Sequence, residues 1–558
     1  MALTPQPRRI LDVAADLDLV ASQVIPYGHD KAKITLDALR ADRPAGRLVL
    51  VSAITPTDAG EGKTTTAIGL AQGFARLGGR VCLTLREPSL GPTFGQKGGA
   101  TGGGRARVVP ESDINLHFTG DFHAIGAAHN LLAAMLDNHI HHGNALGIDP
   151  RRVTWRRVVD INDRTLRHVV IGLGGVLEGV PRETGFDITP ASEVMATLCL
   201  AEDYDDLRRR LARIVVALTV DRQPVTAADL RAVGAMMALL KDAMLPNLVQ
   251  TVEGVPALVH GGPFANIAHG CNSVMATKLA LARADWVITE AGFGFDLGAE
   301  KFFDIMCVSA GLDAAAVVLV ATVRALKMHG GVQKAALTAP DAAAVERGLP
   351  NLAKHVENIR IFGESPVVAL NRFVSDTEDE VAVVGRWCEA AKVPFAVSDG
   401  FDRGGEGGVA LAETVAAHAE RRSTPFTPLY AWHEPAVTKM EKVARAMYGA
   451  TAVAWTREAQ RALAQIERLG FSALPLCIAK TQKSLSDDPQ VIGRPEDFEI
   501  TVRDVILAAG AGYLVPLLGD ILRMPGLPAS PQAERMDLLD GVVVHGPHES
   551  ASTTHVHA

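Results

Sequence analysis

The sequence has no C-x-x-C pair, no long basic run and no apolar stretch of membrane-spanning length. Its six cysteines, Cys82, Cys199, Cys271, Cys307, Cys388 and Cys477, lie far apart. That spacing argues against a zinc ribbon or a disulfide frame and fits reduced core thiols. The formal net charge is only -8 over 558 residues, so nucleic acid and anionic membrane surfaces are not indicated as partners. The longest uncharged late run, "VILAAGAGYLVPLLG", is broken by glycine and proline and is shorter than the ~20 residues of a membrane span. The N-terminus lacks the apolar segment of a signal peptide, and the expectation is a cytoplasmic protein. Aromatic residues make up 5% of the chain, so those in loops at strand ends stand out.

With 48% hydrophobic residues, a chain of this length can bury a large core divided into several domains. Short β-branched runs alternate with helical periodicity: "RLVLVSAIT" (47–55), "RVCLTLRE" (80–87), "HVVIGLGG" (168–175), "ADWVITEAG" (284–292), "AAVVLVATV" (315–323), "PVVALNRF" (366–373) and "VPFAVSD" (393–399). The fold class expected is multidomain α/β, with a mainly parallel sheet and a core like that of the P-loop NTPases. Ligands of such sheets collect at the carboxyl ends of the strands.

After the first run comes "TDAGEGKT", Thr57, Asp58, Ala59, Gly60, Glu61, Gly62, Lys63 and Thr64, and then Thr65. It approaches G-x-x-x-x-G-K-[ST], with Thr57 at the first glycine. Gly60 and Gly62 let backbone N–H groups approach an anion, the helix start adds its positive end, and Lys63 brings an ammonium between phosphates. Thr64 or Thr65 would ligate magnesium. After the second run, "REPSLGPTFGQKGGATGGG" begins with Arg86, whose planar fork can bind a carboxylate or acyl phosphate, and Glu87. Its many glycines point to a functional loop rather than a linker.

Asp121, in "DINLHFTGDFHAI", is either a helix N-cap or a carboxylate that holds a magnesium water or takes a proton from an amine. Phe373 and Phe401, just past two strand-like runs, each read singly as core; as a pair they would wall a flat heterocycle. The histidines of "NHIHHGN" (138–144) lack metal-ligand spacing and read as a solvated helix end.

These strings, with "VPRETGFDIT", "GGPFANIAHGCNS", "EAGFGFDLGAEKFFD", "ATVRALKMHGG" and "GGEGG", resemble the formate–tetrahydrofolate ligases from about residue 30 to residue 527. The resemblance implies MgATP-dependent phosphorylation of formate and transfer of the formyl group to the amine of tetrahydrofolate, giving 10-formyltetrahydrofolate, ADP and phosphate. It assigns Lys63 and the 57–65 loop to the nucleotide, Thr64 to magnesium, Arg86 to formate and formyl phosphate, Glu87 and Asp121 to the attacking amine, and Phe373 and Phe401 to the pterin.

It also implies a monofunctional homotetramer assisted by a monovalent cation, potassium or ammonium. The division expected is a nucleotide- and formate-binding domain over 1–140 and 256–358, an inserted α/β domain over 141–255, a C-terminal α/β domain over 359–540, and a disordered tail over 541–558. The chain departs from the family at Phe401, usually tryptophan, at Arg105, usually tyrosine, at Phe295 in "EAGFGFDLG", and at Lys483 and Leu485 in "KTQKSLSDD". These departures are expected on the folate side. Two rivals are a nucleotide-switched binding protein and a P-loop enzyme that activates another small carboxylate. The absence of an N-K-x-D string counts against a GTPase.

Overall fold

The computed structural model describes residues 7–40, 45–58, 60–97, 99–421, 425–539 and 542–545. Ala59 and Gly98 of the two glycine-rich loops lie outside the described residues, as does most of the expected tail. Within that tail, Val542–His545 is not an isolated segment: it pairs antiparallel with Met536–Leu539.

Seven parallel strands carry the molecule: β1 (Arg47–Ala53), β2 (Val81–Leu85), β3 (Pro256–Val259), β4 (Trp286–Glu290), β5 (Ala314–Ala321), β6 (Pro366–Asn371) and β7 (Phe395–Ser398). Their order across the sheet is β3-β2-β4-β1-β5-β6-β7. Antiparallel strands extend the β3 edge, among them Ala32–Ile34 and Asn247–Thr251. The mixed α/β class with a large, mostly parallel sheet is therefore present. Sheet membership crosses the expected domain lines. Asn247–Thr251 pairs with β3 across the line at 255, and β6 and β7, placed in the C-terminal unit, continue the sheet beyond β5. Periodicity marks a strand but not its partner, which is why pairing escaped the sequence. The run 168–175 also differs, giving only Val169–Ile171 in a separate hairpin with Arg182–Thr184.

The strands read as continuous apolar runs because both faces are covered. Leu48 and Leu50 enter one core and Val49 and Val51 the other, as the two-residue period requires. A third core gathers helix α2 (Asp121–His141) with elements from 193 to 244, including Leu198, Leu211 and Met236. Helix α1 (Lys63–Arg76) follows β1 and packs along helix α3 (Gly405–Ala419) at glycines. A Cβ on Gly73 would sit 2.5 Å from the Gly408 carbonyl oxygen, and one on Gly408 2.0 Å from the Gly69 carbonyl oxygen. The glycines of "GGEGG" thus permit helices to touch backbone to backbone. All six cysteines are buried and free, and His139 and His141 occupy the last turn of α2.

Candidate active site

The carboxyl ends of β1, β2, β4, β5 and β6 converge on the 57–64 loop. Gly60 and Gly62 adopt the left-handed region, with φ of 78° and 69°, and α1 begins at Lys63. A side chain at Gly62 would also collide with the amide of Asn371, the last residue of β6. That amide donates to the Glu61 carbonyl at 3.1 Å. Buried Glu61 braces the loop from within: its Oε1 accepts from the Thr57 N–H at 2.6 Å and its Oε2 from the Thr322 hydroxyl at the end of β5. Asp58 faces outward to Lys483 at 2.7 Å and Lys334 at 3.8 Å, and chiefly the Lys483 hydrogen bond holds its carboxyl below the ordinary range.

Burial lowers the Lys63 ammonium to about 8; Glu290 and Glu61 oppose that shift, while Lys97 and Arg86 add to it. Three cationic side chains, Lys63, Lys97 and Arg86, thus lie near one another. Glu290, the last residue of β4, holds them together: the Thr64 hydroxyl donates to its Oε2 at 2.8 Å, and Arg86 Nη2 lies 3.7 Å from its Oε1. Arg86 Nη1 donates to the Pro263 carbonyl at 3.2 Å, leaving its Nε buried without a partner. Gly292 keeps space beside this fork, since a Cβ there would lie 2.9 Å from Arg86 Nη1.

Glu87 is buried at the end of β2 with Oε2 unpartnered. Burial, then the negative charge of Asp121, raises its carboxyl well above the usual range; Lys33 opposes and Asp160 adds to the rise. Asp121 is not the N-cap of its helix. Gly120 holds that position in the left-handed region, and Asp121 is the first helical residue, buried against Lys33 and Asn247.

Phe373 follows Asn371 by two residues, and the Arg324 guanidinium lies 3.7 Å from its ring centre. Phe401 is 50% exposed and Val374 93%. A Cβ on Gly103 would be 2.9 Å from the Phe401 ring and 3.9 Å from Thr65 Oγ1, so this part of the glycine-rich loop is a seat for Phe401 beside α1. Arg105 N–H donates to the Phe401 carbonyl at 2.8 Å, which joins two of the departures. The other departures lie elsewhere. Phe295 is in the core between Phe303 and Phe362, with ring centres 6.1 and 6.0 Å away; Lys483 pairs with Asp58 of the 57–64 loop; and Leu485 is buried. Sequence spacing reports neither burial nor a partner more than 400 positions away.

The described candidate residues lie at the carboxyl ends of the strands, on the loops that follow, at the starts of helices α1 and α2, or, for Phe401, in the short helix Gly400–Arg403. Sequence reasoning missed Glu290, Thr322, Asn371, Arg324, Lys33 and Asn247. Glu290 carried the same signal as Arg86, a charged residue where an apolar strand breaks into glycine.

The family model described as formate–tetrahydrofolate ligase matches residues 1–546. A curated relative from Paracoccus denitrificans (strain Pd 1222), "Formate--tetrahydrofolate ligase", is 57% identical over 538 residues, covering 96% of this chain and 97% of its own. With a match of this extent, the chain belongs to the formate–tetrahydrofolate ligase family.

Proposed function

We propose that the protein ligates formate to tetrahydrofolate at the expense of ATP, through formyl phosphate, releasing ADP and phosphate. The observation that carries this reading is Glu290, which ties the threonine after Lys63 to the Arg86 fork. A loop suited to a nucleotide and a fork suited to a carboxylate then share one counter-charge. Formate and the γ-phosphate are both anions, so the first step needs converging positive charge, which Lys63 and Arg86 supply. Residues Thr57 to Thr65 cradle the triphosphate in the manner of a P-loop. Magnesium enters as part of the substrate; the Thr64 hydroxyl suits it, because a hydroxyl that gives its proton to Glu290 keeps lone pairs for a metal.

Arg86 holds formate and then the acyl phosphate through two parallel hydrogen bonds. Glu87 and Asp121 serve the attacking amine, and the pterin lies between Phe373 and Phe401. The nucleotide and formate part draws on 1–140 and 256–358, while 359–540 brings both phenylalanines. The same reading takes the protein as a cytoplasmic homotetramer with small-molecule partners only. The implied potassium or ammonium is assigned no residues and no step. No helix among the described residues is long and apolar enough to cross a membrane.

Incubation of the purified protein with MgATP, formate and tetrahydrofolate should give 10-formyltetrahydrofolate and ADP in equal amounts, and nothing when any one substrate is omitted. ATP turnover without formate and folate would favour a switch, and faster use of another carboxylate a different ligase.

A further inference from the structure

Lys33 lies on strand Ala32–Ile34, paired antiparallel with Val24–Pro26 on one side and with Asn247–Thr251 on the other, and is buried, although sequence reasoning gave it no role. Its ammonium donates to Asp121 Oδ1 at 2.7 Å, Asn247 Oδ1 at 2.9 Å and the Leu245 carbonyl at 3.1 Å, using all three protons. Asn247 is equally occupied. Its amide donates to Asp121 Oδ2 at 2.7 Å and the Val259 carbonyl at 3.0 Å, and its oxygen also accepts from the Thr119 hydroxyl at 2.7 Å. Both oxygens of Asp121 are therefore acceptors from side chains with no spare valence. Neither oxygen can turn toward a substrate without breaking a buried hydrogen bond.

Glu87 is the opposite case, buried with one oxygen unpartnered. The charged and titratable groups that face one or both carboxyls are Lys33, Asp160, Cys199, His260 and Tyr27. Of these, Lys33 is the cation that opposes the rise in the Glu87 carboxyl.

We propose that Lys33 and Asn247 are positioning residues that fix Asp121 as their acceptor, and thereby make Glu87 the carboxyl that takes the proton of the attacking secondary amine. This rests on the reading of the site as a formyl-transfer site. As the nitrogen–carbon bond forms, the bond from carbon to the phosphate oxygen breaks, phosphate leaves with the electron pair, and the N–H proton passes to the free oxygen of Glu87. Asp121 stays in place as a fixed charge that strengthens Glu87 as a base.

The test is the pH profile of kcat for formyl transfer, measured on the full chain at saturating MgATP and formate. In the wild type the acid limb should lie above the ordinary glutamate range, and Glu87→Gln should remove it. Lys33→Met should move the limb to higher pH by about one unit or more, because an opposing cation is gone. Lys33→Arg should return it close to the wild-type position. Asn247→Asp, which sets a second carboxyl against Asp121, should also move it upward. The KM for ATP should not change in any of these variants.

If Lys33→Met does not fold, Asn247→Asp and Glu87→Gln carry the test by the same criteria. A limb that stays in place in Asn247→Asp, or that Lys33→Arg displaces as far as Lys33→Met, overturns the assignment. A wild-type protein that forms no formyl product fails the underlying reading instead, before any limb is measured.

Discussion

The Lys63 side and the phenylalanine side of the site are built differently. Around Lys63 the loop is held by buried side chains: Glu61 ties it to Thr322, Asn371 holds its backbone, and Glu290 joins Thr64 to Arg86. Phe401 is half exposed, its ring lies beside Gly103 and its carbonyl accepts from the Arg105 N–H, and the Arg324 guanidinium lies over the Phe373 ring. A charged transition state needs donors fixed before the reaction, because reorienting them would cost the energy they are meant to supply. A flat apolar ligand gains from area alone, so its walls can wait for it.

The largest break in this comparison should come from Lys63→Ala. Removing an ammonium from a preorganised charge site is expected to lower turnover by about 10³-fold, with unchanged circular dichroism and little effect on tetrahydrofolate binding. Next is Glu290→Gln, which keeps the shape but loses the charge shared by Thr64 and Arg86. Turnover should fall about 10- to 100-fold, as when a residue that orients ligand-holding groups is lost, and the KM values for ATP and formate should rise together. A change in only one would mean that Glu290 does not couple the two.

Smaller effects belong to the phenylalanine side. Phe401→Ala should weaken tetrahydrofolate binding by ~1 kcal/mol, about fivefold, with ATP affinity unmoved in a calorimetric titration. Phe401→Trp should tighten it by a smaller factor. Unchanged folate affinity in the alanine variant would make Phe401 a packing residue.

The smallest functional effect is expected from a core control. Asp304 is buried, and burial raises its carboxyl to about 8; the carboxyl of neighbouring buried Glu300 is raised as well. Between the ordinary aspartate range and about 8 the unfolded chain has released a proton that the folded chain keeps, so stability falls as pH rises through that window. Asp304→Asn should flatten the decline, by of order 1 kcal/mol or more, in urea melts at pH 5 and pH 8, and leave both substrate terms alone. An equal decline in the variant would assign it to other groups.

How much of this was legible in the sequence follows the same divide. Strands β1, β2 and β4 to β7 announced themselves because parallel strands buried on both faces are continuous apolar runs. The position of the 57–64 loop and of Arg86 at the carboxyl edge of the sheet was legible because both follow directly where such runs stop. Lys33 and Asn247 were silent, since a charge and an amide in short strands look like solvent-facing residues until pairing on both sides buries them against Asp121, 88 and 126 positions away. Phe295 misled for the converse reason: a departure within a family string looked functional, but it packs in a phenylalanine cluster.

The most direct test of the account is the fate of the formate oxygens. With ¹⁸O-labelled formate, MgATP and tetrahydrofolate, the account predicts one labelled oxygen in the inorganic phosphate for each 10-formyltetrahydrofolate formed, because the oxygen that attacks the γ-phosphate leaves with it. Label in AMP or in water, with unlabelled phosphate, would contradict it.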